Sequence, residues 1–130
     1  MNIHEKINYL EFPAKDIEAT KTFFSQVFEW SFVDFGPEYS AFSQPKNKAS
    51  TDGENGSGIE GGFFQSDLSS STKNGSALTV FYSNHLEQTQ TKIEQAGGVI
   101  VEPIFPFPGG RRFHFSDPNG NEFAVWSDKT

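Results

Sequence analysis

The run from Arg111 to Asp128 restricts what this chain can fold into more than any other. Pro118 pre-sets φ and Asn119-Gly120 tolerates positive φ, so Asp117 to Gly120 predicts a tight turn. Aromatic-rich runs flank that turn on both sides, which predicts a closing β-hairpin. In its second run Glu122, Ala124 and Trp126 share one face, and Phe123 and Val125 share the other.

A hairpin needs something to pack against, and the chain supplies it. Of its 130 residues 35% are apolar and 15 are Phe, enough for one modest aromatic core. The formal net charge of −7 comes without a basic stripe, which argues against nucleic acid and anionic membrane as partners. There is no Cys, so thiol catalysis, disulfides and Cys-ligated zinc are excluded. The start, Met1 to Lys6, lacks the apolar run of a signal peptide, and no stretch approaches the length of a membrane span. A soluble, cytoplasmic protein is the expectation, as a monomer or a homodimer.

Along the chain, Ile7 to Phe12 predicts a strand with Tyr9 and Glu11 on one face, ended by Pro13. Asp16 is placed to cap a helix over Ile17 to Trp30, with Ile17, Thr20, Phe24, Val27 and Phe28 inward. Phe32–Phe35 and Glu38–Ser43 predict two further strands around the Gly36-Pro37 turn. Pro45 to Gly58 is polar and predicts a long exposed loop, and Ile59 to Gln65 a fourth strand. Ser66 to Gly75 is apolar-poor and predicts a linker. Leu78 to Ser83 is a strand, Asn84 or His85 caps a helix to about Ala96, and Gly97-Gly98 stops it. Val99 to Glu102 is a strand, and Pro103 to Pro108 an apolar segment that cannot join a central strand.

The order strand, helix, three strands therefore occurs twice. Asp16 to Thr22 lies against His85 to Thr91 in this alignment. The pattern predicts an α+β domain over residues 1–130, with module one at about 1–65, a linker at 66–75 and module two at about 76–130.

The ordered set of motifs resembles the glyoxalase/bleomycin resistance protein/dioxygenase family, the vicinal-oxygen-chelate superfamily, on its lactoylglutathione-lyase-like side. Phe12-Pro13-Ala14-Lys15-Asp16 before a helix, Phe23-Phe24 inside it and Val27-Phe28-Glu29-Trp30 at its end look like the opening of such a protein. Ile93 to Gly98 before a strand, then Phe115 to Asn121, look like its second half. The resemblance implies two βαβββ modules whose curled mixed sheets surround a central cup. It further implies one divalent metal in that cup, held by His and Glu from the first and last strand of each module. Such a metal acts as a Lewis acid or activates dioxygen.

The implied ligand positions fall on Tyr9, on Leu78, on Ala124, and on Gly62 (or Glu60 with a register slip of two). Leu78, Ala124 and Gly62 carry no ligand atom, and Tyr9 suits few divalent ions. The resemblance thus implies the cup, while the residues predict no metal and no other cofactor. What remains is an aromatic- and carboxylate-lined site for a small organic molecule, with Tyr9, Glu11, Leu78, Val80, Tyr82, Arg112, Glu122, Ala124 and Trp126 as its candidates. One of Arg111 and Arg112 is expected to face it or its rim, where it either holds a carboxylate or phosphate or makes a rim salt bridge. Glu11, Glu122 and His114 are the candidates for acid/base chemistry. The alternative is a glyoxalase-related lyase, isomerase or dioxygenase with a displaced divalent metal site drawn from Glu11, Glu60, Glu122 and His114.

Overall fold

The computed structural model describes residues 2–45 and 58–130, so most of the loop expected over Pro45 to Gly58 lies outside the described residues. Module one comprises β1 (Tyr9–Ala14), α1 (Ile17–Phe28), β2 (Ser31–Asp34), β3 (Tyr39–Ser43) and β4 (Glu60–Gln65). Module two repeats the order with β5 (Thr79–Tyr82), α2 (Leu86–Gln95), β6 (Val99–Phe107), β7 (Gly110–Ser116) and β8 (Glu122–Ser127). Each module makes one four-stranded mixed sheet, ordered β1-β4-β3-β2 in sheet one and β5-β8-β7-β6 in sheet two. The first strand of each runs parallel to the last, and the other pairs are antiparallel. This is the α+β duplication that the element order predicts. No helix among the described residues is long and apolar enough to cross a membrane.

Asp16 caps α1 as expected, accepting a hydrogen bond from Ala19 N at 3.0 Å. The helix is shorter than its apolar pattern suggests. Glu29 adopts φ 60°, ψ 33°, and its N–H closes the helix, so Trp30 lies beyond the last turn. At α2 the capping position is His85, whose side chain makes no cap bond.

Two expectations about proline are corrected. Pro13 does not end the first strand, because β1 is an edge and needs no donor there. The strand expected over Val99 to Glu102 does not stop at Pro103 either, although the prolines do stay out of a central strand. Pro103 to Phe107 continue β6, the other edge of sheet two, through two register shifts between Ile100 and Phe105.

The two modules share one aromatic core. Phe24 of α1 lies 5.4 Å from Phe63 of β4 and 5.5 Å from Phe123 of β8, ring to ring. Phe12 of β1 meets Phe123 at 5.2 Å, and Trp30 stacks on Phe42 at 4.1 Å. Each such ring, buried, contributes roughly 1.5–3 kcal/mol.

A polar clasp joins the modules at one end. The side chain of Asn119, in the β7–β8 turn, accepts from Lys15 N and Asp16 N and donates to Thr20 Oγ1 at 2.7 Å. Asn121 donates to Pro13 O at 2.7 Å and accepts from Ser70 N at 2.8 Å. The segment expected as a linker is therefore strapped to the turn. Asp117 organises the clasp from inside, its Oδ1 accepting from the backbone N–H of Asn119 and of Asn121 at 2.9 Å each.

Candidate functional site on sheet two

Strand alternation assigns each candidate to a face. On sheet two Phe113, Phe115, Phe123 and Val125 point into the core. Their neighbours Arg112, His114, Glu122, Ala124 and Trp126 therefore occupy the opposite face. Val80 pairs with Ala124 and Tyr82 with Trp126 in the same register, which brings β5 to this face. Leu78 lies half-buried just before β5. Arg111 is on the other side, ion-paired with Glu87 of α2, so Arg112 is the arginine that serves this face.

The polar groups here form one chain. The backbone N–H and the hydroxyl of Thr72 both donate to Glu122 Oε1 at 2.8 Å. His114 Nδ1 meets Glu122 Oε2 at 2.8 Å, and Arg112 Nη2 meets His114 Nε2 at 3.0 Å. A guanidinium only donates, so Nε2 must accept and Nδ1 carries the proton. The imidazole is thereby neutral, and its contact with Glu122 is a hydrogen bond. Burial raises the Glu122 carboxyl, but the bonds from His114 and Thr72 outweigh it and hold the group below its ordinary range. It is an anchored carboxylate with little freedom to act as a base.

Rings wall this chain. Phe105 and Phe107 of β6 lie 5.9 and 5.8 Å from the Arg112 guanidinium. Trp126 meets Tyr82 at 5.0 Å and Phe107 at 6.1 Å, both edge to face. Beside the face, a cleft of 390 Å³ opens between the modules. Leu10, Phe12, Trp30 and Phe42 line it, together with Val80 and Tyr82, which it shares with the candidate face.

Tyr9 and Glu11 belong to a second group, on the face of sheet one that points away from the core. Tyr39 Oη donates to Glu11 Oε2 at 2.8 Å and lies 2.6 Å from Tyr9 Oη. A phenol has one proton, so Tyr9 donates to Tyr39. Burial, reinforced by these two partners, pushes the Tyr39 phenol far above its usual range. Tyr39 was not among the sequence candidates. Its signal was a tyrosine alternating onto the face where β4 presents glycine. Among the described residues no hydrogen bond or ring contact joins the two groups.

The implied metal positions can now be tested for fit. A Cβ at Gly62 would meet Tyr39 Oη at 2.1 Å, so the tyrosine hydroxyl fills the space of a ligand side chain there. Ala124 is fully buried and offers only a methyl group. Tyr9 is committed to Tyr39, and Leu78 has no donor atom. These residues do not fit the family's metal. The displaced set fares no better. Glu60 bonds Ser43, Glu11 bonds Tyr39, and Glu122 bonds His114 on the other sheet. Among the described residues no three His, Asp or Glu side chains gather as a metal site.

Comparison with known proteins agrees with this fold. The model of the Glyoxalase/Bleomycin resistance protein/Dioxygenase superfamily matches residues 6–125. A fosfomycin resistance protein from Listeria monocytogenes, solved with Mn(II) and 1S,2S-dihydroxypropylphosphonic acid, superposes with a TM-score of 0.73 at 15% identity, over 98% of this chain and 93% of that one. A glyoxalase-related enzyme from Fulvimarina pelagi gives 0.69 at 16% identity, over 95% and 88%. A virulence protein from Salmonella typhimurium gives a TM-score of 0.60 at 21% identity, over 97% and 98%. At these identities the similarity is one of fold. No curated protein sequence matches the chain.

Proposed function

The chain belongs to the glyoxalase/bleomycin resistance protein/dioxygenase superfamily, and we propose that it binds a small organic molecule on the outer face of sheet two, without a metal at the family's positions. One observation carries this reading. Trp126, Tyr82, Phe105 and Phe107 surround a connected polar chain on a sheet face that the core does not use. Aromatic walls around a few fixed polar groups are the usual composition of a small-molecule site. The adjoining cleft of 390 Å³ is of the size such ligands need.

The site reads as a binder more than as a reactive centre. Glu122 and His114 spend their polar atoms on each other, on Thr72 and on Arg112. A general base needs an acceptor atom free to turn to the substrate, and here His114 Nε2 and both Glu122 oxygens are already engaged.

The test is a thermal-shift screen of small organic molecules against the wild-type chain and Trp126→Ala. A ligand that binds only the native state raises the melting temperature. Trp126 is half-exposed and outside the core cluster, so its truncation should spare the fold and abolish the shift. Shifts of equal size in both proteins would place the ligand elsewhere and refute the assignment.

A further inference from the structure

Resting on that site, we infer that its ligand is an oxyanion carried on an aromatic ring, a carboxylate or phosphonate, and that Arg112 selects it. Among the described residues Arg111 pairs with Glu87, and Lys21 with Glu18 and Asp34. Arg112 is half-buried and has no carboxylate partner. Its hydrogen bonds to described residues are confined to Nη2, which donates to His114. Nε is fully covered without a partner, and Nη1 makes no bond to the described residues. Arg111 Nε is covered too, but Nη1 and Nη2 of that residue both bind Glu87, so among the described residues Arg112 is the arginine with a terminal nitrogen, Nη1, that has no acceptor.

The surroundings decide what that end of the guanidinium can take. The His114 ring separates the Arg112 cation from Glu122, so that carboxylate does not touch it. The rings of Phe105 and Phe107 restrict water on the guanidinium. Nη1 and the second hydrogen of Nη2 then favour an anion that presents two oxygens to the end of the guanidinium, as carboxylate and phosphonate do and water does not. Trp126 lies across from Arg112 in the β7–β8 register and presents an aromatic surface to the body of the ligand. Cationic ligands meet the guanidinium's repulsion, and neutral amides forgo the charge-assisted bond.

The probes are benzoate, phenylphosphonate, benzamide and benzylamine, titrated calorimetrically into the wild-type chain and into Arg112→Gln, Arg112→Lys and Arg111→Gln. Benzoate and phenylphosphonate should bind wild type at least about tenfold more tightly than benzamide, the worth of one charge-assisted bond. Arg112→Gln should lose that preference, Arg112→Lys should keep part of it, and Arg111→Gln should retain it fully. Unchanged far-ultraviolet circular dichroism and melting temperature in the absence of probe establish that each variant folds. Binding of benzamide or benzylamine as tight as that of benzoate would overturn the anion class and leave the sheet-two face as a ligand site. Anion binding that survives Arg112→Gln would overturn the role of Arg112. Silence from all four probes would overturn the class and the site together.

Discussion

Gly62 shows at one residue how this chain fills the space that a ligand side chain would need at that position. The position pairs with Glu11 across β1 and β4 and with Ala41 across β3. Having no side chain, it leaves room for the Tyr39 ring, whose hydroxyl binds Tyr9 and Glu11. Adding one methyl tests this. In Gly62→Ala the Tyr39 ring must swing away and abandon those bonds, a loss of about 1–3 kcal/mol. Gly61→Ala should cost more, because its Cβ would meet the Leu10 backbone carbonyl at 2.1 Å, and a strand backbone cannot rotate aside. Urea midpoints of the two variants measure the difference. If Gly62→Ala proves neutral, Tyr39 does not fill that space in solution.

The β7–β8 turn is the element that joins the molecule. Burial of Asp117 raises its carboxyl from 3.8 to about 6, against the opposing bonds from Asn121 and Asn119. A raised carboxyl pKa means that the native state holds its proton more tightly than the unfolded chain. The stabilisation is therefore complete below about pH 4 and is lost as pH rises through about 6. Asp117→Asn cannot titrate, and its amide would face the donor amides of Asn119 and Asn121. Relative to that variant, wild type should be favoured by about 1–3 kcal/mol near pH 4, with the margin shrinking by pH 7. Urea unfolding of both proteins across this range is the check, and a constant difference would show that Asp117 does not titrate with folding. The turn itself was legible from Pro118 and Asn119-Gly120, because turn chemistry is local. Its role as a clasp was not legible, since Asn119 and Asn121 bond Thr20 and Pro13 from the far end of the chain. The strand ends expected at Pro13 and before Pro103 were misplaced for a related reason. Proline is tolerated at a sheet edge, and strand order, which decides where the edges are, is not written in any local stretch.

At the scale of the whole molecule, two sheets meet around Phe24, and their outer faces carry different chemistry. Sheet one presents Tyr9, Tyr39 and Glu11, a closed network of hydrogen bonds. Sheet two presents Arg112, His114 and Glu122, a chain with one open end. The duplication was legible because each half repeats a helix pattern after a strand, and parity correctly put Glu122, Ala124 and Trp126 on one face. The link from Arg112 through His114 to Glu122 was not, because it needs the β7–β8 register to set His114 opposite Ala124. The central proposal is that sheet two holds its ligand without metal. Titration of benzoate into the chain before and after exhaustive chelation, with metal content measured in both samples, tests this most directly. The same affinity in both samples is the predicted result; affinity that vanishes on chelation and returns with a stoichiometric divalent ion would contradict it.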